Sequence, residues 1–375
     1  MRYVILLVPL LALFALACNG GGEAQPTATP ETDATAGATE TAVPALFEEL
    51  PCSGLLPEGL QEENARCGFV TVPEDRTQAD GRSIKLAVAV LLATGDDPAP
   101  DPLVLMEGGP GAPTIDGILA PWLEVAAPIR ASRDLVFFDQ RGTGRSEPAL
   151  YCPELQQNTL DNLAEALTSA EGTARWLDAI LACGDRLTQM GVNLTAYTNT
   201  ASAADIDDLM QALGYEEWNL YGVSYGTLLA LTTMRDRPER LRSVILDSAI
   251  PPQVHLLAQI PATLERSLDL IYGACAADAE CNAAFPDLWR VARELVTTLN
   301  SAPAIVDVQD PKTGETRTDA ITGDDLTRGT YTFLYNTSVY LAIPFLTDAL
   351  SRGGTEFLPQ RRPARSTIPR CLRMA

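Results

Sequence analysis

Apolar and polar positions alternate in blocks along this chain, and the blocks change period. Residues 68–72 and 84–93 are rich in Val, Leu and Ile and read as an opening antiparallel pair of strands. Short apolar-dominated runs at 102–106, 134–138, 218–221 and 242–246 read as further strands. Between them the period lengthens. Over 203–213 the apolar residues Ile206, Leu209, Met210 and Leu213 fall at helical spacing, and Gly214 ends the run. Residues 228–234 form a second apolar helix, ending before Pro238. Strands alternating with helices predict an α/β fold, a mostly parallel sheet covered on both faces. Beyond residue 250 the pattern becomes helical, with helices expected over 256–276, 287–300, 326–335 and 339–350.

In sheets of this kind, functional groups gather at the carboxyl ends of the strands. Glu107, Asp139, Ser224 and Asp247 all fall there. Ser224 lies in Gly-Val-Ser-Tyr-Gly at 222–226, with a strand before it and a helix after it. G-x-S-x-G alone is a weak signal, but the strand–turn–helix setting is what a nucleophile elbow requires. The flanking glycines let strand and helix approach closely.

The N-terminus and composition add a location. Residues 1–17 read as a secretory signal, with Arg2 ahead of an apolar run over 4–17 too short for a comfortable membrane span. Ala-Leu-Ala-Cys at 15–18 fits a lipobox with Cys18 as the lipid-attachment site, and the Ala-x-Ala also fits plain secretion. A Thr-, Pro- and Ala-rich linker over 18–45 has too little to bury to fold. The remaining cysteines make three short-range pairs, Cys52 with Cys67, Cys152 with Cys183 and Cys275 with Cys281, and leave Cys371 over. Disulfides in an oxidising compartment are expected, although spacing alone does not prove connectivity. A metal site is not expected, since there is no Cys-x-x-Cys and one histidine. A net charge of −22 argues against nucleic acid or an anionic membrane surface as partner. Membrane contact is expected only through the lipid anchor, and the protein is expected to be a monomer.

Three motifs follow in order: Gly-Gly-Pro-Gly at 108–111, Asp-Gln-Arg-Gly-Thr-Gly-Arg-Ser at 139–146 and the serine motif at 222–226. Together they resemble the α/β-hydrolase fold in its prolyl and tripeptidyl aminopeptidase branch, over roughly residues 46–350. The resemblance implies a hydrolase core over 46–252, a helical cap over 253–350 and an aminopeptidase that cleaves short N-terminal units through an acyl-enzyme on Ser224. It requires no cofactor. Its oxyanion hole would take the Tyr225 N–H and that of Gly108 or Gly109, since Pro110 has none. Asp139 and Arg141 are expected to brace the loop. In the cap, Glu265, Asp269, Asp324 and Asp325 are candidates by type to read the amino end of a peptide.

The chain departs from the family in three places. Glu107 stands where relatives usually carry histidine. The family's acid and histidine follow the cap, and nothing here fills those places. The order Ser224, Asp247, His255 offers an alternative triad, although His255 lies where the chain leaves for the cap. Residues 351–375 form a basic tail, with five arginines and no acidic residue from 357 on, which predicts a break in frame or gene model near 354–359. Little turnover is therefore expected from the sequence as it stands. An esterase on the same fold and a non-catalytic ligand-binding lipoprotein are the alternatives.

Overall fold

The computed structural model describes residues 45–56, 64–78, 80–309, 314–336 and 339–354. The signal segment, Cys18, the linker up to residue 44, Cys371 and the tail from 355 lie outside the described residues.

Seven strands make the main sheet: β1 (Leu46–Leu50), β2 (Ala65–Pro73), β3 (Ser83–Leu91), β4 (Leu103–Met106), β5 (Leu135–Phe138), β6 (Trp218–Val223) and β7 (Leu241–Asp247). Their order is β1-β2-β3-β5-β4-β6-β7. The first three strands pair antiparallel and β3 meets β5 antiparallel, whereas β5, β4, β6 and β7 run parallel. The expected opening pair is β2 and β3. β1 was not expected from the pattern, because only its Phe47 is even half-buried and its other residues are exposed.

The two faces follow from the two-residue period of a strand. Val104, Met106, Val136 and Phe138 point to one side and pack with Ile206, Leu209 and Met210. Leu103, Leu105, Leu135 and Phe137 point to the other and pack with Ile115 and Leu119. The covering helices on that second side are α1 (Thr114–Gly117), α2 (Leu119–Val125) and α3 (Ala127–Arg130). After β5 the chain forms a hairpin of α4 (Pro153–Asp161) and α5 (Ser169–Gln189), joined by the Cys152–Cys183 disulfide. It then forms α6 (Asn199–Leu213), whose left-handed C-cap is Gly214 at φ 90°. The elbow helix α7 (Tyr225–Asp236) follows β6.

β7 differs from the other parallel strands. It pairs with β6 alone among the described residues, and successive residues Ile245 and Leu246, on opposite faces, are 45% and 36% exposed. Parallel strands are ordinarily buried on both faces.

The segment after β7 corrects the expectation of an all-helical cap. It contains α8 (Leu256–Ala277), α9 (Ala279–Ala284), α10 (Leu288–Ser301), α11 (Gly323–Phe333) and α12 (Ile343–Ser351). Between α10 and α11 lies an antiparallel hairpin, β8 (Ala304–Gln309) with β9 (Thr316–Ile321). Residues 304–309 alternate half-buried and exposed, which is strand periodicity and not helical. Disulfides also join Cys52 to Cys67 and Cys275 to Cys281, giving the three pairs suggested by spacing.

Candidate active site

β6 delivers the chain to Ser224 and α7 carries it away at once. The turn between them has no room. A Cβ on Gly222 would stand 2.4 Å from the carbonyl oxygen of Gly226, and one on Gly226 would stand 2.3 Å from that of Met106. Ser224 itself sits at φ 54°, ψ −118°, in the half of backbone space that a non-glycine residue rarely enters. Such strain survives only where the surroundings enforce it. Here the Ser224 N–H donates to the Asp247 carbonyl at 2.9 Å, and the Ser224 carbonyl accepts from the Thr227 N–H and hydroxyl. The Thr227 hydroxyl in turn accepts from the Ile250 N–H, tying the elbow to the chain beyond β7.

The glycine loop after β4 lies directly across from the serine. A Cβ added to Gly108 would be 2.9 Å from Ser224 Cβ, 2.9 Å from the Val223 carbonyl oxygen and 3.3 Å from Ser224 Oγ. Gly109 is at φ 107°, a conformation that favours glycine. The Tyr225 N–H opens α7, where the first amides have no intrahelical acceptor. The Gly108 N–H, one of the two loop amides expected to face an oxyanion, donates instead to the carboxylate of Glu107 at 2.9 Å. The neighbouring carbonyl of Glu107 accepts from Gln140 Nε2 at 3.0 Å, which joins this loop to the one after β5.

That second loop is braced as the sequence suggested. Asp139 is fully buried. One carboxylate oxygen accepts from the Thr114 and Ile115 N–H groups at 2.7 and 3.0 Å, and the other accepts from the Arg145 N–H at 2.7 Å. Burial pushes its carboxyl above the ordinary value, and the three amides pull it back. Arg141 grips both oxygens of buried Asp205 at 2.6 Å and donates to the carbonyls of Glu74, Ala196 and Pro73.

Asp247 meets Ser224 through its backbone carbonyl, and among the described residues no hydrogen bond links its carboxylate or His255 to the Ser224 hydroxyl. The Asp247 carboxylate is exposed and accepts from Tyr221 OH at 2.5 Å and Ser248 Oγ at 3.1 Å. His255 is exposed just ahead of α8, and among the described residues no hydrogen bond joins it to Asp247 or Ser224. The cap carboxylates divide. Asp269 accepts from Trp289 Nε1, Asp324 from Asn300 Nδ2, and Asp325 caps α11 through Thr322, while Glu265 is exposed on α8.

A family profile described as the alpha/beta hydrolase fold matches residues 101–282, which take in the glycine loop, the braced loop and the elbow. The chain has the α/β-hydrolase fold. Its curated relatives include serine protease Hip1 of Mycobacterium tuberculosis, 30% identical over 313 residues, covering 81% of this chain and 59% of that protein. Tripeptidyl aminopeptidase of Streptomyces lividans is 29% identical over 218 residues, covering 55% of this chain and 38% of that protein. Carboxylesterase B of M. tuberculosis is 32% identical over 297 residues, covering 76% and 54%. The chain thus spans at most 59% of the length of these relatives.

In this α/β-hydrolase a cavity of about 710 Å³ opens beside the elbow. Pro110 and Gly111 of the glycine loop line it together with Leu150, Leu155, Tyr197 and Tyr225. The Tyr225 hydroxyl donates to Asn199. The one guanidinium in the lining, that of Arg141, is already neutralised by Asp205, so the cavity is mostly apolar, with Gln140, Thr143, Thr198 and Ser202 as polar lining residues and no unpaired charge. Sequence reasoning did not find Leu150, Leu155 or Tyr197, because they come from a loop and a helix start with no motif of their own. Cys152, Glu154 and Cys183 are the one cluster of metal-type ligands among the described residues. Its two sulfurs are joined to each other and Glu154 pairs with Arg186, so the cluster has no ligand set to offer.

Proposed function

We propose that this α/β-hydrolase is an exported serine hydrolase acting on peptides, with Ser224 as the residue acylated while a short N-terminal unit is released. The observation that carries the reading is the strained Ser224 backbone facing a loop so close that a Cβ on Gly108 would strike it. A hydroxyl held this way can meet a carbonyl carbon while amides of Tyr225 and of the glycine loop meet its oxygen. The names of two relatives, a serine protease and a tripeptidyl aminopeptidase, support peptides as the substrate class.

Oxyanion donors alone do not activate a serine; a base must take its proton. Among the described residues no imidazole or carboxylate hydrogen-bonds to Ser224 Oγ, so we expect these residues to give only the small catalysis that pocket and oxyanion hole supply without a triad. The Glu107 carboxylate on the Gly108 amide opposes catalysis further, since it occupies one donor with negative charge. Tyr225 and Gly109 would then be the first donors to serve. Residues 1–17 and Cys18 support export and lipid anchoring, which intact-mass measurement of the envelope fraction would check by an acylated Cys18 at the mature N-terminus.

The test of the enzymatic reading is reaction with a fluorophosphonate. Slow labelling at Ser224, at the residual rate that donors without a base allow, is expected and disappears in Ser224→Ala; a folded protein that stays unlabelled would leave a ligand-binding role or a serine without its base. A second reading, an esterase, is favoured by a mostly apolar pocket without an unpaired charge and by the carboxylesterase relative. Comparing aminoacyl and peptidyl arylamides with short acyl esters separates the two.

A further inference from the structure

A second cavity, of about 630 Å³, lies within the segment after β7. Its walls come from α8, α10, α11 and α12, and it shares no lining residue with the cavity beside Ser224. It is a cleft open to solvent, not an enclosed void, with Glu265 and Arg293 exposed among its lining residues. It falls within the range of small-molecule pockets.

The chemistry of the walls narrows the ligand. Leu264, Leu268, Leu295 and Ile343 supply aliphatic surface. The buried polar pair among them, Tyr272 and Thr347, is already joined by a 2.9 Å hydrogen bond, so that pair calls for no polar partner from a ligand. Charge enters only through two exposed residues, Glu265 and Arg293. The Arg293 guanidinium lies 5.0 Å over the Trp289 ring, and that ring is fixed by its bond to Asp269 and by an edge contact with Tyr272. No carboxylate pairs with Arg293 among the described residues. Glu265 has no comparable anchor, and its carboxylate is free to turn to water. The held, unpaired charge is therefore positive.

We propose that this cavity binds the hydrocarbon chain of a single-chain anionic amphiphile of the fatty-acid class, with the head group on Arg293. The inference is independent of the reading of Ser224. Calorimetric titration of the full chain with dodecanoate, kept below its micellar range, is expected to show one saturable site. Ala292→Trp places an indole in the cavity and is expected to weaken binding by at least about tenfold. Arg293→Ala, a change at an exposed lining residue that keeps the aliphatic walls, is expected to weaken dodecanoate about fivefold and not to weaken dodecyltrimethylammonium. The proposal is overturned by absence of a saturable site, by undiminished binding to a folded Ala292→Trp protein, or by equal dodecanoate affinity with and without Arg293.

Discussion

Gly108 and Ser224 lie so close that a side chain on the first would strike the second, with 2.9 Å between an added Cβ and Ser224 Cβ. The Val223 carbonyl oxygen, backbone and unable to turn aside, is equally near. Gly108→Ala is therefore expected to push the loop away from the serine. We predict a loss of at least about a hundredfold in the rate of phosphonate labelling and about 1–3 kcal/mol of stability in urea unfolding. A variant that labels at the parental rate would mean that the loop takes no part.

Removing the carboxylate beside that loop should act in the opposite direction. Glu107→Ala frees the Gly108 N–H and takes away a negative charge from the place where an oxyanion would form. The labelling rate is expected to rise by about tenfold, and a fall would show that Glu107 supports the site.

Asp139 holds three backbone amides with one buried carboxylate. An amide side chain keeps one acceptor oxygen and turns an NH₂ toward a donor, so Asp139→Asn leaves at least one buried N–H unmatched. A loss of about 1–3 kcal/mol is expected by urea unfolding. Change within error would place the bracing elsewhere.

The Tyr221–Asp247 contact carries a pH signature. Burial, then donation to the Asp247 carboxylate, moves the Tyr221 hydroxyl from the ordinary 10.0 up to about 12. Folded Tyr221 thus keeps its proton where unfolded tyrosine gives it up. Its stabilising contribution is whole below pH 10 and is lost as pH rises toward about 12. The difference in Tm between the parent and Tyr221→Phe should be flat up to the lower limit and shrink through that window. A difference that persists undiminished at the upper limit would contradict the assignment.

How much of this was legible depends on how local each cause is. The elbow could be read because its steric demand is written in adjacent residues, Gly222 and Gly226 around Ser224. α6 could be read because Ile206, Leu209, Met210 and Leu213 repeat at helical spacing against one face of the sheet. α5 went unread although Thr168 and Glu171 form a capping box at its start, with the Thr168 hydroxyl accepting from the Glu171 N–H. β8 went unread because a six-residue alternation was outweighed by helical pattern on both sides. The hold of Glu107 on the Gly108 amide depends on side-chain torsions, and the meeting of Leu150 with Tyr197 and Tyr225 depends on tertiary placement. Neither leaves a mark in the sequence.

The central claim is that the Ser224 hydroxyl is presented for acyl transfer. Intact-protein and peptide mass spectrometry after fluorophosphonate treatment tests it most directly, run on the parent, Ser224→Ala and His255→Ala. The account predicts a single, slowly formed adduct on the peptide carrying Ser224, absent from Ser224→Ala and formed at the same slow rate in His255→Ala. A folded parent without that adduct, or with the adduct on another serine, would contradict it; loss of the adduct in a folded His255→Ala protein would instead make His255 the base.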